Sequence, residues 1–443
     1  MKALILDGSN SGDTTAERVS LQLQQELTRR GWEYEVVILR EKKIGNCAGD
    51  FFCWVKTPGI CNINDDNRMA AGEIIASDLL VYLTPITFGG YSSTLKSLVD
   101  HQIQNVLPFF TQINGETHHQ KRYDRYPDFL VLGWLPGQDE KAEAIFSRLT
   151  RRNALNFYAE RSGSCVLYNG QTETEIHAKI SGSLDFLNDS PSISAEESTV
   201  SVDKTQESLP FVQADFPVKR ALLLVGSPRT KNSTSYSLGG YLIDQLAVKS
   251  IETQTIFLHT ILRSAEKKAQ LLQAVEQADL FILAYPLYID TLPAPVIETL
   301  ELISDSRAEK PAAKHALFTA IANCGFPEAS HTDNSLAVCE LFARQAGFTW
   351  AGSLALGAGE GLVHGVPLKD AGGPALLIKQ SLNLAADALS KGQSIPHQAG
   401  KLLSRSIIPG WLYRMMGSIG WVQSAKKFGV QKLLKRKTYF PSN

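Results

Sequence analysis

The chain has 443 residues, enough for two or three domains that each bury a core of their own. Its composition, 44% apolar and 20% charged, excludes long disorder, collagen and a disulfide scaffold. A formal net charge of −1 gives no general attraction to nucleic acid, so no nucleic-acid partner is expected. The first residues lack a signal-peptide pattern and no apolar run approaches ~18 residues, which predicts a cytoplasmic protein.

Two segments of the chain recur in the same order. Residues 2–9 (KALILDGS) reappear as residues 220–227 (RALLLVGS), and residues 77–96 align with residues 278–297. The pattern predicts a tandem duplication, with a first domain over residues 1–187, an acidic Ser-rich linker over 188–217, a second domain over 218–390 and a basic tail over 391–443.

Each repeat alternates short apolar runs with amphipathic stretches. The predicted strands cover residues 3–6, 34–38, 79–83, 129–134 and 165–168, and in the second repeat 221–225, 253–257, 280–284, 316–322 and 352–356. Near-continuous apolar strands separated by helices are typical of a parallel sheet covered on both faces. The predicted fold class is therefore α/β, with two doubly wound domains that each contain a five-stranded parallel sheet.

Ligands of such sheets bind at the carboxyl ends of the strands, so the loops after strands 1, 3 and 4 are the expected binding loops. After strand 1 the second repeat has GSPRTKNSTS, residues 226–235, where hydroxyls and a cation precede a helix. Such donors at a helix N-terminus bind phosphate, and helix capping is the alternative role. The first repeat has GSNSGDTT, residues 8–15, in which the carboxylate of Asp13 disfavours a bound phosphate.

After strand 3 the first repeat has TPITFGGY, where Gly89 and Gly90 allow a flat ligand to approach the backbone. The second repeat has YPLYIDTL, with a proline and aromatic residues but without the glycines. After strand 4 of the second repeat comes NCGFP, residues 323–327. Packing within the loop is the alternative for each single aromatic residue.

The order of these loops resembles that of the flavodoxin-like NAD(P)H-dependent FMN reductase and quinone reductase family. The likeness covers about residues 1–187 and 218–390. It implies two flavodoxin-like domains with strand order 2-1-3-4-5, and FMN bound without covalent attachment. The FMN phosphate would lie on the loop after strand 1, and the ring between the loops after strands 3 and 4.

Carried over by motif, the resemblance implies the residues that contact FMN. The implied phosphate contacts in the second repeat are Ser227, Arg229, Ser233, Thr234 and Ser235, and those in the first are Ser9, Thr14 and Thr15. The implied ring contacts in the first repeat are Pro85, Ile86, Thr87, Phe88, Gly89 and Gly90, and those in the second are Pro286, Leu287, Tyr288, Ile289, Asn323, Cys324, Gly325 and Phe326. The better phosphate loop and the better ring loop lie in different repeats, so the number of bound flavins stays open.

The first repeat contains a cysteine insert, residues 47–61, which resembles that of iron-sulfur flavoproteins in the same family. Asp50 stands where that pattern has a middle cysteine, which leaves Cys47, Cys53 and Cys61, whereas a four-iron cluster ordinarily needs four thiolates. A metal site and a redox-active thiol pair are alternatives, but we favour a structural loop and predict no metal site. The adjacent His118 and His119 are expected in a polar loop.

Charge is uneven along the chain. Residues 388–443 contain ten Lys or Arg and no Asp or Glu, which leaves residues 1–387 with a net charge of −11. The basic tail also contains several large apolar residues, among them Trp411, Met415 and Trp421. It can pack on the acidic body, lie on an anionic membrane or contact the 2′-phosphate of NADPH, and we favour packing.

The resemblance implies an oxidoreductase that passes hydride from NAD(P)H to FMN and on to a quinone, a flavin or a similar small-molecule acceptor. The cofactor carries that chemistry, so no catalytic side chain is expected. Two subunits often surround each flavin in the family, which implies an intrachain pseudo-dimer or a homo-oligomer. The alternative is a flavodoxin-like electron carrier or a non-catalytic flavin-binding or interaction protein, which Asp13 and the missing glycines favour.

Overall fold

Two separate parallel sheets organise the chain, which is represented by a computed structural model that describes residues 1–188, 212–309, 315–373 and 375–439. The first compact unit comprises Met1–Cys47, Phe51–Thr199 and Arg414–Asn443, and the second comprises Ala48–Asp50 and Val200–Tyr413. Residues 189–211 of the predicted linker lie outside the described residues. The domain limits derived from the sequence stay predictions.

The described residues of the first unit form seven strands, β1 (Lys2–Asp7), β2 (Glu33–Ile38), β3 (Leu79–Pro85), β4 (Val106–Ile113), β5 (Glu116–Lys121), β6 (Asp128–Leu135) and β7 (Ser162–Tyr168). Five of them form a parallel sheet in the order β2-β1-β3-β6-β7. The central strands β1, β3 and β6 are almost wholly buried because helices cover both faces. These helices are α1 (Thr14–Arg29), α2 (Phe52–Val55), α3 (Asn67–Ala76), α4 (Ser93–Val99), α5 (Glu140–Asn156) and α6 (Glu173–Ser183).

The second unit repeats this sheet with β8 (Arg220–Val225), β9 (Glu252–Phe257), β10 (Leu280–Pro286), β11 (Leu317–Asn323) and β12 (Thr349–Leu356). Its order is β9-β8-β10-β11-β12, and all neighbours are parallel. Both sheets therefore have the order 2-1-3-4-5 within their repeat, which confirms the predicted fold class. The helices that follow are α7 (Thr234–Val248), α8 (Ala265–Gln277), α9 (Ala294–Ala308), α10 (Asp333–Gln345), α11 (Gly359–Leu362), α12 (Ala375–Leu389), α13 (His397–Leu403) and α14 (Gly410–Lys426).

The same glycine constraint shapes the start of the first binding loop in both repeats. Gly8 follows β1 and Gly226 follows β8, and a Cβ at either position would overlap Leu95 of α4 or Val296 of α9. The helix after strand 3 therefore packs directly against the chain where the binding loop begins. Only a residue without a side chain permits this approach.

An antiparallel hairpin of β4 and β5 is an addition to the first unit that the strand prediction did not contain. Its turn is Asn114-Gly115, and both residues have positive φ, as a two-residue hairpin turn requires. His118 and His119 lie on β5, so the expectation of a polar loop is wrong. His118 is buried with Nδ1 2.7 Å from Asn156 Oδ1, and burial lowers the pKa of His119 to about 3.

The cysteine insert and the tail share one hydrophobic cluster of the first unit. Trp54 is buried, its indole N–H donates to the carbonyl of Val106 at 3.0 Å, and its ring meets that of Trp421 edge-on at 5.1 Å. From the tail, Ala425 and Leu434 are also buried in this cluster. The insert and part of the tail therefore pack together, and the roles assigned to them from the sequence stay predictions.

The cysteines form no disulfide with one another. Among the residues that the structure describes, no group of three His, Cys, Asp or Glu side chains is arranged to hold a metal ion. Cys61 instead has its Sγ 3.4 Å from Nδ1 of His101. No helix within the described ranges has the length and the apolar character needed to cross a bilayer.

A buried carboxylate connects two helices of the first unit. Glu26 of α1 is fully buried, and its Oε1 accepts hydrogen bonds from Arg29 at 2.6 Å, Arg30 at 2.7 Å and Ser181 of α6 at 3.0 Å. These bonds, that of Arg29 above all, outweigh the effect of burial and lower the pKa of Glu26 to about 2. The ionised form of Glu26 is thus stabilised by folding.

We expect the Glu26→Gln substitution to lower the free energy of unfolding by about 2–3 kcal/mol at neutral pH. A lowered pKa stabilises the folded state above the ordinary value of 4.5, and this contribution is lost as the pH falls through about 2. Urea unfolding at several pH values measures both effects, with Glu33→Gln on the exposed end of β2 as control. Between pH 4.5 and about 2, the free energy of unfolding should fall less steeply in the variant than in the parent chain. Parallel curves of this free energy against pH would contradict the role assigned to Glu26.

Candidate functional site

In the first unit, the helix after strand 1 is capped by a carboxylate. Oδ1 of Asp13 accepts hydrogen bonds from the amides of Thr15 and Ala16, both at 3.0 Å, at the start of α1. Oδ2 accepts from the indole Nε1 of Trp134 at 2.9 Å, and Trp134 is a buried residue of β6. The carboxylate therefore compensates the positive end of the helix and bridges two of the expected binding loops.

The other phosphate candidates of the first unit also have partners within the chain. The amide of Ser9 donates to Asp7 at 2.8 Å, and its buried hydroxyl accepts from Nη1 of Arg40 at 2.9 Å. The hydroxyl of Thr15 donates to Asn169 at 3.2 Å, whereas Thr14 is exposed. Arg40, which follows β2, is a cation at this loop that the sequence analysis missed, because nothing in its local sequence relates it to Ser9.

The ring candidates of the first unit are governed by packing. The backbones of Thr87 and Gly90 pair across a tight turn, and Gly89 at its centre has φ of 80°. A Cβ at Gly89 would lie 2.7 Å from Cβ of Ile145 in α5, so the glycine is required by that helix. The turn residue Phe88 and its neighbours Ile86 and Gly90 are buried, while Pro85 and Thr87 are half-buried.

These observations test whether FMN fits the first unit. A phosphate at the N-terminus of α1 would meet the carboxylate of Asp13, and like charges repel strongly in a partly buried site. The indole of Trp134 already connects the ring side of the crevice to that carboxylate. The carboxylate of Asp13 therefore disfavours an FMN phosphate at this helix N-terminus.

In the second unit, a neutral hydroxyl caps the corresponding helix. Oγ of Ser233 accepts from the amide of Tyr236 at 3.1 Å and donates to the carbonyl of Thr230 at 2.6 Å. Ser227 is buried at the end of β8, and its Oγ lies 3.4 Å from the amide of Arg229. The positive end of α7 is thus left without a capping carboxylate.

The hydroxyls that follow the cap connect this loop to neighbouring loops. Thr234 donates to the carbonyl of Gly359 at 3.3 Å, and Ser235 accepts from Nδ2 of Asn323 at 2.8 Å. The same Asn323 amide group donates to the carbonyl of Tyr285 at 2.9 Å. Asn323 therefore ties the loops after strands 1, 3 and 4 of the second repeat together.

Arg229 forms an ion pair with a residue that the sequence analysis did not identify. Its Nη1 lies 2.9 Å from Oε1 of Glu360 in α11, and Nδ1 of His364 lies 3.0 Å from the same oxygen. The hydrogen bond to Glu360 raises the pKa of Arg229. Burial disfavours the ionised form of Glu360, but the contacts with Arg229 outweigh this effect and lower its pKa.

The ring loop of the second unit adopts the same turn without glycine. Tyr288 and Thr291 exchange backbone hydrogen bonds of 3.0 and 3.3 Å, and between them Ile289 has φ of 45° and Asp290 has φ of 61°. A β-branched residue in this region is strained by roughly 1–3 kcal/mol, and such strain is concentrated at functional sites. The candidates Pro286, Leu287, Tyr288 and Ile289 are half-buried, whereas two of their four counterparts in the first unit, Ile86 and Phe88, are buried.

The loop after β11 completes the candidate site of the second unit. Gly325 is exposed and Phe326 is half-exposed, whereas Cys324 is buried with Sγ 3.4 Å from the carbonyl of Phe326. The hydroxyl of Tyr413 donates to the carbonyl of Gly325 at 2.6 Å, and burial raises the pKa of this phenol. Tyr413 belongs to the predicted tail, so its place in this loop was not foreseen.

The donor set of the second unit fits a phosphate ester better than that of the first. Neutral hydroxyls and a helix N-terminus occur beside the guanidinium of Arg229, and the ring loop is accessible. The competing group is the carboxylate of Glu360, which is paired and does not cap the helix. The charge pattern therefore allows FMN in the second unit.

Comparison with known proteins identifies the family to which the chain belongs. The family profile described as NADPH-dependent FMN reductase matches residues 1–114 and 220–347. An iron-sulfur flavoprotein of Methanocaldococcus jannaschii is 28% identical over 100 residues, which are 23% of this chain and 51% of that protein. The chain thus spans about half the length of this curated relative.

Among solved structures, an FMN-dependent NADH-azoreductase from Bacillus anthracis has 13% identity and a TM-score of 0.29, covering 39% of this chain and 99% of its own. A WrbA-like flavodoxin from Agrobacterium tumefaciens has 14% identity and a TM-score of 0.23, and the match covers 30% of this chain and 76% of that protein. The family profile matches more than half of the chain, in one segment of each repeat. The chain therefore belongs to the NADPH-dependent FMN reductase family of flavin-dependent oxidoreductases, and it contains the family's fold twice.

Proposed function

We propose that the chain is an NAD(P)H-dependent oxidoreductase with a single FMN site, which lies in the second unit. The observation that carries this proposal is the difference at the two helix N-termini. The carboxylate of Asp13 caps α1, whereas the neutral hydroxyl of Ser233 caps α7. A dianionic phosphate is repelled by the first arrangement and attracted by the second.

The phosphate of FMN would be held by the loop after β8. The amides of Thr234 and Ser235 begin the first turn of α7, which is where a helix presents donors to an anion. The hydroxyl of Ser227 supplies a further donor, and the guanidinium of Arg229 supplies the positive charge. The hydroxyl of Ser233 would have to turn from the carbonyl of Thr230 to contact the phosphate. For Arg229 to reach the phosphate, its ion pair with Glu360 must open or be shared.

The ring of FMN would lie between the loops after β10 and β11. Pro286, Leu287, Tyr288 and Ile289 offer a half-exposed surface on one side, and Gly325 and Phe326 do so on the other. Asn323 fixes the distance between these loops through its two hydrogen bonds. Bound FMN would supply the transfer of two electrons from NAD(P)H to a quinone, a flavin or a similar acceptor.

The remaining residues of the site position groups and carry no proton in the reaction. Tyr413 holds the carbonyl of Gly325, and its raised pKa keeps the phenol neutral near pH 7. The backbone hydrogen bonds between Tyr288 and Thr291 hold the strained backbone conformation of Ile289 in place. These contacts preorganise the loops before a ligand arrives.

The first unit has a different role in this proposal. The Asp13–Trp134 hydrogen bond links the loop after β1 to the end of β6, and the carboxylate beside the helix N-terminus favours a non-catalytic function for that repeat. The alternative is an electron carrier, in which FMN is bound but does not react with NAD(P)H. Bleaching of the flavin absorption by NADH or NADPH distinguishes the two.

Reconstitution with FMN should give one flavin per chain, and anaerobic NADH or NADPH should bleach its visible absorption. Stopped-flow spectroscopy with each nucleotide, followed by addition of a quinone, measures the reduction and the transfer to the acceptor. A chain that takes up no FMN would refute the proposal. Bound FMN that neither nucleotide bleaches would identify an electron carrier.

The Arg229→Gln substitution should weaken FMN binding about 10- to 100-fold, because a hydrogen bond to a charged group is worth roughly 1.5–3 kcal/mol. Arg40→Gln is the matched control, since Arg40 is the cation beside Ser9 in the first unit. Quenching of FMN fluorescence measures both dissociation constants. A loss of affinity in Arg40→Gln with no change in Arg229→Gln would place the flavin in the first unit.

The Glu360→Gln substitution should strengthen FMN binding by about tenfold at neutral pH, since it removes a carboxylate that competes with phosphate for Arg229. The gain should shrink as salt screens the repulsion. Fluorescence titrations at two ionic strengths measure it, with Glu266→Gln on exposed α8 as control. Weaker binding by Glu360→Gln would mean that Glu360 orients Arg229 toward the phosphate and does not compete with it.

A further inference from the structure

The tail helix α14 has a face that packs and a face that does not. Trp421 and Ala425 lie in the hydrophobic cluster of the first unit. On the exposed face, the side chains of Met415, Ile419 and Val422 have 49%, 51% and 41% of their surface open to solvent. The tail therefore packs through one face only.

The exposed side chains follow helical spacing. Trp411, Met415, Ile419 and Val422 recur at intervals of four, four and three residues, which aligns them along one face of α14. Met416 and Trp411 are also more than half exposed. Contiguous exposed apolar side chains mark an interaction site, whereas scattered ones do not.

Cations without any acidic neighbour in sequence accompany this face. Residues 414–443 contain seven Lys or Arg and no Asp or Glu. Six of these cations are exposed within and after the last turn of α14, namely Lys426, Lys427, Lys432, Lys435, Arg436 and Lys437. Two further apolar side chains, those of Phe428 and Leu433, are 43% and 44% exposed among them.

We propose that α14 and the residues after it bind the surface of an anionic lipid membrane, with the exposed apolar face in the headgroup region. Lys and Arg are attracted to anionic lipids, and Trp, Met, Ile and Val gain from burial at the boundary of the acyl chains. The 17 residues of α14 are fewer than the ~20 that a spanning helix needs, so the helix lies in the plane of the interface.

The charge and chemistry of this segment favour an anionic membrane over a second copy of the chain and over a nucleic acid. A second copy of the chain docked through the same face would bring the two sets of cations together, and like charges oppose such an interface. A nucleic acid would be attracted by the cations, but Met415, Ile419 and Val422 offer it no hydrogen bond. Since residues 1–387 carry a net charge of −11 and residues 388–443 a net charge of +10, an anionic surface repels the body of the chain and attracts its tail.

Vesicle flotation of the full chain tests the proposal. We expect binding to phosphatidylcholine vesicles that contain about 30 mol% phosphatidylglycerol, little binding to phosphatidylcholine alone, and weaker binding as salt is added. The double variant Met415→Gln/Ile419→Gln should bind the anionic vesicles about tenfold more weakly. The double variant Leu21→Gln/Val248→Gln, which replaces exposed apolar residues on α1 and α7, is the matched control and should bind like the parent chain.

A charge variant provides the second measurement. Lys426→Gln/Lys427→Gln should also bind the anionic vesicles about tenfold or more weakly, because each cation near an anionic surface contributes separately to the binding free energy. Circular dichroism and FMN content should match the parent chain in every variant, because none of these residues lies in the candidate flavin site. The outcome of the test is therefore independent of the proposed function.

Three results would overturn the proposal. They are the absence of flotation with anionic vesicles, equal binding to neutral and anionic vesicles, and unchanged binding by Met415→Gln/Ile419→Gln. Self-association in analytical ultracentrifugation that this same variant abolishes would show that a second copy of the chain covers the face.

Discussion

The positive end of the helix after strand 1 must be compensated in each repeat, and the chemistry of the two crevices depends on how this is done. In the first unit Asp13 supplies a full negative charge, which also receives the indole N–H of Trp134. In the second, Ser233 supplies only a hydroxyl, and Arg229 of the same loop is paired with the carboxylate of Glu360, which does not cap the helix. One fold thus contains a helix end that is satisfied internally and one that remains attractive to an anion.

The fold was largely predictable because the same pattern of apolar runs and loops occurs in both repeats. The apolar runs of the central strands are continuous, and the residues that end them, such as Gly8 and Gly226, are constrained by helix packing in both copies. The hairpin of β4 and β5 was missed because β5 has no apolar alternation. Its signal was the Asn114-Gly115 pair, whose positive φ values a two-residue turn requires.

The candidate site was harder to predict, since its decisive partners are distant in sequence. Glu360 is 131 residues from Arg229, and Arg40 reaches Ser9 from beyond the next strand. Gly89 suggested an approach for a ligand, yet Ile145 takes up that space. Conversely, the second repeat has no glycine around Ile289, and yet the structure has the same turn there with strained residues.

The hydrophobic cluster shared by the cysteine insert and the tail affects the order in which the chain folds during translation. Arg122 donates to the carbonyls of Leu434 and Arg436, which are more than 300 residues further along the chain. At roughly 5–20 residues per second, the ribosome needs on the order of 15–60 s to synthesise the intervening chain. The surface around Trp54 therefore stays uncovered until the tail residues that pack on it have been synthesised. The first repeat, although synthesised first, completes its packing only after the strands of the second repeat have been synthesised.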